Sequence, residues 1–91
     1  MKIRLKAFAR FREIMGAEQV LEVPEGTTLQ GLLVRAGEGS GPVRTALFTG
    51  DDLKEYVVLM RNRKRVMRAD ADHEVLADGD EVAVFPPVAG G

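Results

Sequence analysis

The residues best suited to chemistry stand at the end of the sequence, where Val88-Ala89-Gly90-Gly91 follows Phe85-Pro86-Pro87. Glycine has no Cβ, so a Gly-Gly end can lie extended in a channel too narrow for other residues and present an α-carboxylate at the tip of a thin thread. A carboxylate is a poor electrophile. As an acyl-adenylate it accepts a sulfur or amine nucleophile, and glycine leaves the path of attack open, so the chemistry expected here lies on the main chain. Terminal fraying accounts for the same two residues, because chain ends are commonly disordered. With glycine at roughly 7% of residues, two in succession at one end arise by chance in about half a percent of chains. The fold that precedes the tail therefore decides how much weight it carries.

Composition narrows the remaining chemistry. At 91 residues the chain is one domain with a single modest core. Thirteen basic and fourteen acidic residues give a net charge of −1, so no global field recruits nucleic acid or a membrane. The absence of cysteine excludes disulfides, thiolate metal sites and a side-chain thiol as sulfur carrier. If sulfur is handled, the terminus must handle it. No apolar run approaches the length of a membrane span, and Met1-Lys2-Ile3-Arg4-Leu5 alternates apolar and basic residues rather than forming a signal peptide, which points to the cytoplasm. His73, the only histidine, sits among Asp70, Asp72 and Glu74 and reads as a solvated turn residue, with no metal expected.

The elements that must position the tail follow from periodicity. Residues 1–7 alternate as a strand, with Met1, Ile3, Leu5 and Ala7 on one face. Phe8, Phe11, Ile14 and Met15 switch to helical spacing and stop at Gly16. A second strand is predicted over 19–23, ending at the turn Pro24-Glu25-Gly26. Thr27 or Thr28 caps a helix whose Leu29, Leu32, Leu33 and Ala36 form an apolar stripe ended by Gly37. The glycine-rich stretch from Gly37 through Leu53 reads as a surface excursion with a short helix around 43–48. Val57-Val58-Leu59-Met60 reads as a strand buried on both faces, Asn62-Arg63-Lys64 as a hairpin tip, and Val66-Met67 as the start of the return strand. Gly79 supplies a tight turn before the last strand, 81–85, which Pro86-Pro87 ends because proline offers no ladder donor. The expected fold is α+β, a mixed sheet wrapped around one main helix; if the first strand is central and the last pairs beside it in parallel, the tail leaves the sheet at its edge through a stiff Pro-Pro exit.

Two segments carry a resemblance to a known family. The end, Asp78-Gly79-Asp80-Glu81-Val82-Ala83-Val84-Phe85-Pro86-Pro87-Val88-Ala89-Gly90-Gly91, closely resembles the C-terminus of the molybdopterin synthase small subunit, the MoaD branch of the MoaD/ThiS ubiquitin-like β-grasp sulfur carriers. Phe8-Ala9-Arg10-Phe11-Arg12-Glu13-Ile14-Met15-Gly16 resembles that family's first loop and helical turn. The ThiS branch, a carrier of the thiamine pathway, is similar in fold but typically lacks the 37–53 segment and the Phe-Pro-Pro stretch. The basic run Arg61-Asn62-Arg63-Lys64-Arg65 departs from the family pattern and reads as a solvated hairpin tip or a dock for an acidic partner.

The resemblance implies a four- to five-stranded β-grasp domain over 1–87 and a flexible reactive tail over 88–91. It implies that an E1-like adenylyltransferase (MoeB/ThiF-like) uses ATP to adenylate Gly91. A sulfurtransferase or cysteine desulfurase then turns the adenylate into a thiocarboxylate, and the tail enters the large synthase subunit (MoaE-like) to give its sulfur to a pyranopterin precursor. The chain is then a cosubstrate that binds no cofactor and acts through no catalytic side chain. Val88, Ala89 and Gly90 form the tail, and Phe8, Val66 or its neighbour Met67, Phe85, Pro86 and Pro87 are the candidate partner contacts. Arg12 and Glu13 read as a solvated face with a possible E1-like contact. Three other readings remain open: a protein modifier that passes the same adenylate to a lysine, a sulfur carrier for another pathway such as thiamine or tRNA thiolation, and a binding module with an incidental tail.

Overall fold

In the computed structural model, which describes residues 1–86, the elements run β1 (Lys2–Ala7), α1 (Arg10–Met15), β2 (Glu18–Glu22), α2 (Leu29–Gly37), α3 (Gly41–Leu47), β3 (Phe48–Thr49), β4 (Asp52–Leu53), β5 (Val58–Arg61), β6 (Lys64–Val66) and β7 (Glu81–Phe85). A 3-10 turn at Arg68–Asp70 follows β6. The main sheet has the order β2-β1-β7-β5-β6. Strands β1 and β7 pair in parallel, Leu5 opposite Val82 and Ala7 opposite Val84, while the other neighbours are antiparallel. A parallel pair requires a crossover, and everything between β1 and β7 serves as that crossover.

The period of two decides which side of the sheet is wet. Ile3 and Leu5 in β1 and Val82 and Val84 in β7 are fully buried, while Lys2 and Arg4 remain exposed. Leu29, Leu32 and Leu33 of α2, all at 0% exposure, share one apolar cluster with them. Thr28 caps this helix, its Oγ1 accepting the Gly31 N–H at 3.1 Å. Two more helix-start donors are satisfied by the long connection to β7: Leu29 N–H donates to the Glu74 carbonyl at 2.8 Å and Gln30 N–H to that of Ala71 at 3.0 Å. Ala71 and Leu76 of that connection are buried beside the helix start.

Four expectations change. The 37–53 stretch is not a surface excursion: α3, capped by Ser40, and the β3–β4 ribbon bury Val43, Leu47, Phe48 and Leu53 in the common core. Strand β5 is covered on one face only, with Leu59 at 0% exposure and Val58 and Met60 half-buried. The return strand β6 ends at Val66 instead of beginning there, because Arg61 pairs with Lys64 across a two-residue tip. Asn62 and Arg63 both take positive φ, 48° and 70°, as such a tip demands. Val23 falls after β2, buried at 5% exposure, and donates its N–H to the Met1 carbonyl at 2.9 Å. The expected domain boundary between residues 87 and 88 lies outside the described residues.

Candidate functional site

Strand β7 runs through the centre of the sheet and delivers the chain to Pro86 at the sheet's end. Alternation buries Val84 and turns Phe85 to the uncovered face. Phe8 arrives there from the parallel neighbour. Its N–H donates to the Val84 carbonyl at 3.2 Å, extending the β1–β7 pairing by one residue. The two rings stack with centroids 4.4 Å apart and planes 9° from parallel, and Phe8 remains 39% exposed. Such a pair is a rigid, apolar anchor of the kind that concentrates binding energy when a partner desolvates it.

The stack opens onto a hollow of about 200 Å³ walled by Met60 and Ala83 and rimmed by Lys6, Arg63 and Glu81. Lys6 Nζ lies 3.1 Å from Glu81 Oε1, and Arg4 Nη2 is 3.3 Å from the same oxygen. The hydrogen bond from Lys6 holds the Glu81 carboxyl below its ordinary range, assisted by the charges of Lys6, Arg4 and Arg63 against a smaller opposing effect of burial. The arrangement is an apolar centre with an ionised rim, which suits protein recognition; such rims act mainly on association rate.

The basic run divides into structural and exposed parts. Arg61 is half-buried and tied into the fold: its Nε donates to Asp80 Oδ2 at 2.9 Å and its Nη1 to Glu74 Oε2 at 2.9 Å. Asn62 donates through Nδ2 to Asp80 Oδ1 at 2.9 Å and accepts the Glu81 N–H at 2.9 Å. Asp80 therefore staples the hairpin tip to the start of β7 while also accepting the Ala77 N–H at 2.8 Å. Arg63, Lys64 and Arg65 are exposed.

The structure brings Phe8, Phe85 and Pro86 together at the end of the sheet. Val66 is separate. Paired with Leu59 on the inner face, it is 8% exposed and belongs to the core, while Met67 is 57% exposed. The register of β6 against β5 makes this choice and leaves Met67, not Val66, at the surface. Pro87, Val88, Ala89, Gly90 and Gly91 lie outside the described residues. Arg12 and Glu13 are exposed on α1. Sequence reading missed Met60, because the continuous apolar run of β5 hides which face is covered, and the Lys6–Glu81 rim, although the alternation of β1 and β7 already aims Lys6 and Glu81 outward. His73 is exposed, and among the described residues no three potential ligands converge on a metal position. Among the same residues no helix is long and apolar enough to cross a membrane.

A mixed five-stranded sheet closed on α2, with a central parallel pair formed by the first and last strands, defines a ubiquitin-like β-grasp protein. The crystal structure of SAMP1 from Haloferax volcanii has the same fold, with a TM-score of 0.87 at 27% identity and both chains covered in full. A sequence profile of the ThiS family matches residues 5–91, and the chain belongs to that ThiS/MoaD family. Over 92 aligned residues, with all of both chains covered, it is 33% identical to small archaeal modifier protein 3 of Haloferax volcanii. It is 34% identical, again with both chains covered in full, to the molybdopterin synthase sulfur carrier subunit of Chlamydomonas reinhardtii.

Proposed function

We propose that this chain is the sulfur-carrying small subunit of a cytoplasmic molybdopterin synthase, with Gly91 as the terminal residue that carries the sulfur. The observation that carries the reading is the stacked Phe8–Phe85 pair, an exposed anchor at the point where the chain leaves the sheet toward Gly90-Gly91. Full-length similarity to a molybdopterin synthase sulfur carrier subunit supports it.

The cycle follows from carboxylate chemistry. A Gly91 carboxylate oxygen attacks the α-phosphorus of ATP held by an E1-like enzyme, and pyrophosphate leaves. A persulfide sulfur from a sulfurtransferase or cysteine desulfurase displaces AMP, and a thiol reductant cleaves the S–S bond to release the thiocarboxylate. In the large subunit that sulfur attacks a carbon of the pterin precursor and displaces an oxygen substituent to give an S-acyl adduct; water then cleaves the acyl carbon–sulfur bond, which leaves the sulfur on the pterin as a thiol and restores the Gly91 carboxylate. The chain's own part is to dock through the Phe8–Phe85 patch and present Val88 to Gly91. It contributes no catalytic side chain and binds no cofactor.

A second reading has equal support from similarity: the 33% identity to a small archaeal modifier protein favours transfer of the same adenylate to a lysine amine. Intact mass of the protein isolated from its own cells separates the two. Replacement of one oxygen by sulfur adds about 16 Da and marks a carrier, whereas high-mass ladders mark conjugation. A chain recovered with neither, from cells actively making the cofactor, would overturn both.

A further inference from the structure

On the helix side of the tail root lies a second concave surface. A cleft of about 290 Å³ has Phe11 and Ala46 as its apolar floor, Arg10, Lys54 and Tyr56 at its rim, and Pro86 in its wall. Phe11 is 2% exposed and Tyr56 48%. Lys54 Nζ sits 6.0 Å from the centre of the Tyr56 ring, which keeps its charge beside the cleft. Among the described residues the ion pairs of lysine and arginine run through Arg4, Lys6, Arg35, Arg44 and Arg61, leaving Arg10 and Lys54 without a carboxylate. Ala9, which also lines the cleft, sets Arg10 at the start of α1 from a backbone conformation of φ 52°, ψ −127° that alanine seldom adopts. Backbone of this kind concentrates at binding sites.

We propose that this cleft docks an acidic segment of the enzyme that adenylates the tail. The inference rests on the carrier reading and holds equally for a modifier, because both begin with adenylation. An enzyme that grips the Gly91 carboxylate encloses Pro87 to Gly91, about 17 Å when extended. The mouth of its channel therefore meets the surface around Pro86, where the apolar patch lies on the sheet side and the cleft on the helix side. The phosphates of ATP stand at the far end of that channel, out of reach of Arg10 and Lys54. The anions that match these two cations are therefore carboxylates of the protein at the channel mouth, where the planar guanidinium of Arg10 takes a carboxylate in two-point contact. The apolar floor accepts a neighbouring aliphatic or aromatic side chain.

The test is ATP–pyrophosphate exchange by the adenylating enzyme of the same cells, with the full chain as substrate. The double variant Arg10→Glu/Lys54→Glu should lower kcat/KM by about tenfold or more at low ionic strength. At roughly 0.5 M salt, where the Debye length is below about 5 Å, the difference should shrink several-fold. The control Lys2→Glu/Arg35→Glu makes the same change of net charge elsewhere on the surface, at two exposed positions, and should retain near-native exchange. If the charge reversal impairs folding by circular dichroism, Arg10→Gln/Lys54→Gln replaces it, with a smaller loss in the same direction. Native exchange by the double variant, an equal loss in the control, or a loss that ignores salt overturns the groove while leaving the carrier reading in place. A native chain that is not adenylated at all overturns the carrier reading and the groove together.

Discussion

At the scale of single residues, two side chains concentrate the most consequence. Burial pushes the Asp80 carboxyl up, but the Ala77 N–H, the Asn62 amide and the Arg61 guanidinium together outweigh it, so its pKa lies below the ordinary 3.8. A carboxyl whose folded pKa is depressed stabilises the fold fully above its unfolded value and loses that contribution as the pH falls through the folded value. Acid unfolding should therefore set in below about pH 4, and Asp80→Asn should flatten that part of the stability–pH curve. Asp80→Ala leaves Arg61, Asn62 and the Ala77 N–H short of an acceptor and should cost roughly 1–3 kcal/mol. The expected fall in Tm is at least about 5 °C, and an unchanged Tm would show that solvent replaces the staple. Phe85→Ala makes the complementary prediction for function. It removes half of a stacked, partly exposed pair, so affinity for the large synthase subunit should drop about tenfold or more while the circular dichroism spectrum is retained. Unchanged affinity would move the interface elsewhere.

Among the elements, α2 and the sheet depend on each other for burial. Leu32 is fully buried in the cluster that contains Ile3, Leu5, Val82 and Val84, so Leu32→Ala should destabilise by roughly 2–5 kcal/mol. A reversible melt showing a loss under about half a kcal/mol would remove Leu32 from the core. Most of this layer was legible in the sequence. The apolar stripe of α2, a threonine cap at 27 or 28 and the alternation of β1 follow from spacing, whereas the parallel pairing with β7 is a relation between two distant strands that spacing within either leaves open. The short elements were not. Strands β3 and β4 have two residues each, too few to show a period, and the burial of Val43, Leu47 and Leu53 depends on α3 meeting α1 and α2 across a glycine-rich link.

At the scale of the whole molecule, the proposed carrier function gives the fold the task of delivering one main-chain terminus. Deleting Gly91 draws the reactive group back by about 3.3–3.6 Å of extended chain. Misplacement by about 1 Å already costs on the order of a hundredfold in a positioned reaction, so adenylation and sulfur transfer should both vanish while the fold persists. One extra residue after Gly91 should have the same effect, since the glycyl carbonyl becomes an unreactive amide. Pyrophosphate exchange and sulfur transfer to the pterin precursor, measured for the native, shortened and extended chains, check this. Near-native rates in either altered chain would leave the tail incidental.

What sequence alone determined was whatever depends on local period and composition: the inward faces of β1 and β7, the apolar stripe of α2, the absence of any cysteine to carry sulfur, and a Gly-Gly end suited to main-chain chemistry. The family resemblance was readable from the two segments that end at Gly16 and Gly91, because both lie along continuous stretches of chain. Only the tertiary structure decided which residues share a surface. Phe8 meets Phe85 across 77 positions because two strands distant in sequence pair in parallel, and Arg61 leaves the basic run to join Asp80 because a hairpin tip folds back on the turn before β7. Val66 goes to the core and Met67 to solvent for a similar reason: the register of β5 with β6 sets the face, and register is a property of two strands, which one strand's alternation leaves open.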